Sequence, residues 1–359
     1  MMEFLMNLSL FADAGTLANA TGNYINAYTG DVTEFSGTDT LTPTMKTFYD
    51  TELLENHRDK LIYGQLGRKQ GLPARHGRTI EWRKWNTLPL LDALTEGVIP
   101  TGKKLGMTSI NVSLAQYGEY VAVTDLLELH ALDDVIAGAV TELGAAGGKT
   151  HDLLIRDVLK TGTNILFADA YNGSSYYATP TSKSDLLTKM GSYTCNLTPD
   201  MVNKAVTNLV VGGADPFSGG KYVAVIHPHV AYDLRKHPDW IEAHKYAAPQ
   251  EIFNGEIGEL HGVRFIQSNL APIISKTGSS DDAYATYKTM FFGKDAFGII
   301  DPEGAGMETI VKTKEQVGGP LNQFSTIGTK CEFAAKILYQ ERMVTVWSGS
   351  SYSGSDSEN

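Results

Sequence analysis

Two stretches of this chain alternate apolar and polar residues in the manner of half-buried strands. In the first, Ile80 and Trp82 are interleaved with Glu81 and Arg83; in the second, Ile110, Val112 and Leu114 with Asn111 and Ser113. Between them runs Asn86 to Met107, a connection far longer than a tight hairpin turn and broken by Pro89, Gly97, Pro100, Gly102 and Gly106. Loops of that length inside a compact domain are uncommon and usually functional or disordered. This one is also too apolar for a solvated loop, because it carries Leu88, Leu90, Leu91, Leu94, Val98 and Ile99. Such residues need a partner surface, and a loop projecting from a hairpin cannot provide its own. That requirement makes these six residues the candidate functional set, as an intersubunit contact.

The flanking segments carry the same message. Residues 1–44 are rich in Gly, Ala, Thr and Asn with no sustained period, and read as an extended arm whose Tyr24, Tyr28 and Phe35 dock elsewhere. A helix is expected from Met45 to Leu66, ended by Gly71 and Pro73. After the hairpin region (76–125) the stripe Leu129, Leu132, Ile136, Val140, Leu143, Gly147, Leu154, Val158 keeps helical spacing across 126–160. Asp125 and Glu128 resemble a capping box at its start. At ~1.5 Å per residue this helix would span roughly 50 Å; a break at Gly147-Gly148 is the plain alternative. The remainder reads as mixed α/β. Helices are expected at Asp200–Val211 and within Val230–Ala247, and strands at Tyr222–Ile226, Val263–Gln267, Tyr287–Phe292, Thr309–Thr313 and Ala335–Val346. Ser348 to Asn359, with Ser, Gly and acidic residues, reads as a flexible, solvated tail.

Charge and chemistry narrow the function. Lys and Arg number 30 against 41 Asp and Glu, for a net charge of -11, which argues against a chain built to grip nucleic acid. Enclosing DNA without sequence-specific contacts remains compatible with that balance. Cys195 and Cys331 form no zinc pattern and read as free thiols. No stretch reaches the ~20 apolar residues of a membrane span, and the apolar start Met1–Met6 lacks a basic flank, so a protein made in the cytoplasm without a membrane anchor is expected. The one enzyme-like feature is His227-Pro228-His229 after an apolar strand, a spacing that lets two imidazoles share a metal in hydrolases on β/α barrels. Regular strand–helix units do not follow it, and Pro228 suits the first position of a helix. Gly212 to Lys221 fails as a phosphate loop, since Tyr222 follows the lysine and the glycines precede the strand. A carbohydrate-binding or tail-fibre reading rests only on the 17 Tyr and the Gly/Thr-rich start.

Four segments in order resemble the major capsid proteins of tailed bacteriophages with the Hong Kong 97-like fold, most of all the N-four-type coat proteins. They are Met6-Asn7-Leu8-Ser9-Leu10-Phe11-Ala12; the hairpin followed by Tyr117-Gly118-Glu119-Tyr120-Val121; the long helix 126–160; and Ile257 to Leu270, with Phe292-Gly293-Lys294-Asp295-Ala296-Phe297-Gly298 after it. The resemblance implies an α+β fold with an N-terminal arm (1–44), a helical region (45–75), an extended-loop hairpin (76–125) and a spine helix (126–165). An axial domain (166–304) and returning strands of the peripheral domain (305–347) would follow, before the tail (348–359). It implies a structural virion protein, not an enzyme, without cofactor or metal. Its copies would form the hexamers and pentamers of an icosahedral shell around packaged DNA. Lys103 and Lys104 lie in the loop from which some such proteins form a Lys–Asn cross-link, but no partner Asn or catalytic acid is placed, so that chemistry is not carried over. The arm is too short and Gly-rich for a fused scaffolding segment, so a separate scaffolding protein and a portal are the expected partners. The competing reading is a metal-dependent hydrolase using His227 and His229.

Overall fold

The computed structural model describes residues 61–73, 77–91, 93–94, 96–97, 99–131, 134–244, 256–274, 284–302, 307–317, 321–354 and 356–359, and the backbone of 23–25 and 32–34. The chain divides into two units, 1–56 and 57–359. In the first, Asn23–Ile25 pairs antiparallel with Val32–Glu34. The rest of the expected arm, and the expected helix before Leu61, lie outside the described residues.

The second unit is built on two sheets. The larger runs in the order Glu256–Leu260, Val263–Gln267, Tyr222–Ile226, Thr286–Phe292, Met343–Ser348, Ile165–Phe167, with Ile273–Ile274 paired to Thr286–Phe292. Its three middle strands, Tyr222–Ile226, Thr286–Phe292 and Met343–Ser348, are buried at every residue. Cover on both faces explains why Tyr222–Ile226 is an unbroken apolar run and not an alternating one. Because successive side chains point to opposite faces, each strand feeds two cores. Tyr222, Ala224, Ile226, Phe291, Val344 and Val346 join a cluster under the helix Pro199–Val211. Val225, Met290, Phe292 and Met343 join the opposite cluster with Ile155 and Leu159. Each such side chain contributes about 1.5–3 kcal/mol on burial. The covering helix starts where the sequence dictates, with Thr198 accepting from the Met201 amide and Pro199 at a position that needs no donor.

The smaller sheet is organised by one strand, Phe324–Ile337. Ala115–Thr124 pairs with it from Phe324↔Thr124 to Phe333↔Ala115. Glu308–Lys312 lies on its other edge, and Phe297–Pro302 takes over its far end, carrying Arg68–Leu72 beyond it. The long helix Val135–Leu159 packs along this strand, first through Leu143, Val140 and Ile136 against Ile327 and Val123. Its last turns, at Ile155 and Leu159, reach the central sheet.

Four expectations are corrected. The helix 126–160 is two helices, Asp125–His130 and Val135–Leu159. The first cap is Thr124, not Asp125, and Ala131 turns extended. Asp134 then accepts from the Ile136 and Ala137 amides and opens a second helix. Gly147-Gly148 does not break it. A Cβ at Gly147 would stand 2.7 Å from Met307 Sδ and one at Gly148 2.9 Å from Leu61 Cδ1, so these glycines permit close packing. Second, Ala335–Val346 is not one strand. It ends at Ile337, where Leu338 and Tyr339 amides both donate to Ala296 O, and resumes at Met343 after a 3-10 turn, Gln340–Arg342. Third, the helix expected to reach Leu66 gives way at Gly67 to the strand Arg68–Leu72, not at Gly71 or Pro73. Fourth, the stretch read as a solvated tail begins inside a strand at Ser348 and then makes specific bonds to the body, among them Gly349 N to Cys195 O (2.8 Å) and Asn359 to Ile273 N (3.0 Å).

The hairpin Thr79–Trp85/Met107–Ser113 stands on the end of the smaller sheet. Trp82 and Ile80, opposite Ile110 and Val112, pack with Leu114, Leu72 and Ile300. The indole sits over Gly298, where a Cβ would lie 2.9 Å from the ring and 3.2 Å from Leu338 Cδ1.

Two substitutions test this account. Gly298→Ala should destabilise the protein by about 1–3 kcal/mol through overpacking under a ring that cannot move aside, with Trp82 fluorescence altered; unchanged denaturation would mean that the hairpin base is not packed as described. Asp134→Ala should cost about 1 kcal/mol in the same denaturant titration, and no loss would show that the second helix starts without its cap.

Candidate intersubunit surface

The sequence-predicted loop grows from a hairpin in strict register, from Thr79↔Ser113 to Trp85↔Met107. Beyond it the ladder closes with one more bond, Asn86 N to Gly106 O (3.0 Å), and Thr108 Oγ1 donates to Asn86 Oδ1 (2.7 Å). At the body end, Arg78 Nε donates to Leu114 O (2.6 Å) and Lys84 Nζ lies 4.4 Å from the centre of the Tyr339 ring. The base is therefore fixed. The residues between Asn86 and Gly106 make few bonds; Lys103 Nζ donates to Leu90 O (2.7 Å), which folds the loop on itself.

Its apolar side chains point away from the body. Leu90 is 91 % exposed, Leu91 95 % and Ile99 92 %; Leu94 and Leu88 are also exposed, and Val98 lies outside the described residues. The hairpin adds Trp85, Leu105 and Met107, which sequence reasoning passed over. Trp85 and Met107 stand directly opposite each other. The signal was present: Trp85 continues the strand past Trp82 with its parity reversed, onto the face away from the body.

A second exposed apolar group lies where Ala115–Thr124 and Phe324–Ile337 begin their pairing. It comprises Tyr120, Leu126, Leu129, Leu321 and Phe324, and Asp125 N to Gln323 O (2.9 Å) ties its two segments together. Leu129, counted in the helix's core stripe by its spacing, is 77 % exposed. The short helix Asp125–His130 buries no residue at all.

The His227–His229 pair has partners within the unit itself. His227 is the N-cap of Pro228–Lys236, its Nδ1 accepting from the His229 amide at 3.2 Å. Burial, and then the neighbouring His229, hold its pKa down to about 4, so the ring is the neutral acceptor the cap needs. His229 faces Asp356 at 2.6 Å and Tyr287 OH at 3.1 Å. Among the described residues, no group of three or more His, Cys, Asp or Glu side chains is arranged to hold a metal ion. Both cysteines are free; burial pushes the Cys195 thiol up to about 11, which leaves it an inert core residue. Gly212 to Lys221 is a turn, with Lys221 bound to Glu259 across the sheet edge.

No protein family and no curated protein matches the sequence. Solved structures do match the fold. The capsid structure of the Helicobacter pylori bacteriophage KHP30 superposes with a TM-score of 0.65 at 12 % identity, covering 85 % of this chain and 95 % of that one. The capsid of cyanophage P-SCSP1u gives 0.62 at 15 %, covering 88 % and 96 %. That of Ralstonia phage GP4 gives 0.61 at 15 %, covering 86 % and 96 %. A hairpin with a projecting loop, a long helix laid along a long strand, and a buried mixed sheet make this an α+β chain with the Hong Kong 97-like fold of tailed-phage capsid subunits.

Proposed function

We propose that this chain is the major capsid protein of a tailed bacteriophage, a structural virion component whose copies form hexamers and pentamers of an icosahedral head around double-stranded DNA. The observation that carries the reading is the combination of a fold shared with phage capsid subunits over most of the chain and a loop whose leucines are exposed among the described residues. Burying Leu88, Leu90, Leu91, Leu94 and Ile99 on a neighbouring copy would contribute about 1.5–3 kcal/mol each. The exposed group around Leu126, Leu129, Leu321 and Phe324 is a surface of the kind such a loop would cover. In this reading residues 76–125 are the extended loop, 126–165 the spine region, 166–304 the axial domain and 305–347 the returning peripheral strands. Kinship with the N-four-type coat proteins rests on the ordered sequence segments alone. A separate scaffolding protein and a portal are the expected partners. The net charge of -11 suits a shell that encloses DNA without gripping it.

Shortening residues 88–105 to Asn-Gly tests the role of the loop. The variant should stay soluble and folded by circular dichroism, because the paired strands are anchored through Trp82, yet give no shells by negative-stain microscopy when co-expressed with its phage's scaffolding protein. The triple variant L90S/L91S/I99S, which leaves the backbone intact, should fail in the same way. Normal particles from either variant would remove the loop from assembly.

A further inference from the structure

Ser348 ends the central sheet's strand, and the residues after it cross the body on two backbone bonds, Gly349 N to Cys195 O (2.8 Å) and Ala285 N to Gly354 O (2.9 Å), and otherwise on side-chain bonds. Ser350 Oγ donates to His229 O (3.0 Å), and Ser351 gives its amide to Asp233 Oδ2 (2.9 Å) and its hydroxyl to the other carboxylate oxygen. Tyr352 stacks on the His229 ring, centroids 4.6 Å apart. Asp356 accepts from Ser353 Oγ (2.5 Å) and from Tyr287 OH, and faces His229 Nδ1 at 2.6 Å. Glu358 pairs with Lys160 at 3.0 Å. The Asn359 side chain accepts from Ile273 N (3.0 Å) and Arg156 Nη1 (3.2 Å) and donates to Ala271 O (3.1 Å).

The seat is rigid and the occupant is not apolar. Asp233, Tyr287, Arg156 and Ala271 are all buried in the body. Of the crossing residues only Tyr352 brings a large ring. Polar bonds formed in place of bonds to water hold weakly one by one, and they must offset the entropy of fixing the segment. Such a segment leaves its seat when a central bond is lost.

We propose that residues 349–359 are a detachable strap across the body, and that Asp356 is the pin through which acid releases it. The titratable groups that interact with Asp356 are His229 from the helix Pro228–Lys236, His227 at that helix's N-cap and Tyr287 from the central sheet, with Asp233 acting on Tyr287. Burial pushes the Asp356 carboxyl up, but hydrogen bonds from Ser353 and Tyr287 and the charge of His229 outweigh it and hold it below its usual value. A carboxylate depressed in the folded state contributes its full stability above the unfolded value and loses it as pH falls through the folded one. Release is therefore set below the ordinary carboxylate value. The inference stands on contacts within this unit and holds whether or not the chain forms shells.

Hydrogen exchange of the full-length protein, with rates referred to the intrinsic rate at each pH, tests it. At pH 7 the Ser351 amide and its neighbours in 349–359 should exchange at least tenfold slower than an open chain. In Asp356→Ala at pH 7 that protection should fall at least tenfold, and in the unaltered protein it should fall as the pH is lowered from 4 to 2.5, while Tyr222–Ile226 keeps its own. Three results would overturn the proposal. They are unprotected strap amides at pH 7, wild-type protection in Asp356→Ala, or joint loss in the strap and the central strand on acidification.

Discussion

The smaller sheet is registered against one strand. Phe324–Ile337 is hydrogen-bonded to Ala115–Thr124 on one edge and to Glu308–Lys312 and then Phe297–Pro302 on the other, so it fixes three other strands by backbone geometry alone. At ~3.3 Å per residue it is long enough, at roughly 46 Å, to serve as a track for the helix Val135–Leu159. Through Phe297–Pro302 it also positions Gly298 beneath Trp82, and so decides where the hairpin stands. A one-residue slip in this strand would turn every inward side chain outward and undo the helix contact and the hairpin base together.

With that frame in place, burial divides unevenly. The central sheet is saturated, its three middle strands covered on both faces. The loop beyond Trp85 and the short helix Asp125–His130 bury almost nothing. A single unit that keeps its core so complete and leaves the large apolar side chains of that loop and helix in water is stable as a fold and unfinished as a surface. Those two properties suit a subunit that folds first and then assembles.

How much of this was legible in the sequence depended on whether the signal was local. Tyr222–Ile226 was read with its observed bounds because a strand buried on both faces is an unbroken apolar run, and Val263–Gln267 because Val263 and Phe265 alternate with Arg264. The loop's exposure was legible because its leucines keep neither a helical nor a strand period. The break before Val135 was not: Asp125, Asp133 and Asp134 all offer cap chemistry, and only the observed bonds select Asp134. Leu129 kept helical spacing with a core from which the break at 131–134 separates it. The tail was misread for the opposite reason. Ser, Gly and acidic residues look solvated, and nothing nearby announces that Ser351 will find Asp233 118 residues away or that Asn359 will find Arg156 203 away. The His pair offered an enzyme-like alternative because its spacing is visible in sequence, whereas the capping bond and Asp356 are not.

The central claim, that the loop is completed by a second copy, is tested most directly by the solvent access of one side chain. Leu91 is 95 % exposed on the isolated unit. A Leu91→Cys thiol should react with a maleimide within seconds on unassembled protein, against a slow background from the half-buried Cys331. In purified particles the same thiol should be protected by at least tenfold. Equal labelling in both states, or protection already present in the unassembled protein, would contradict the claim.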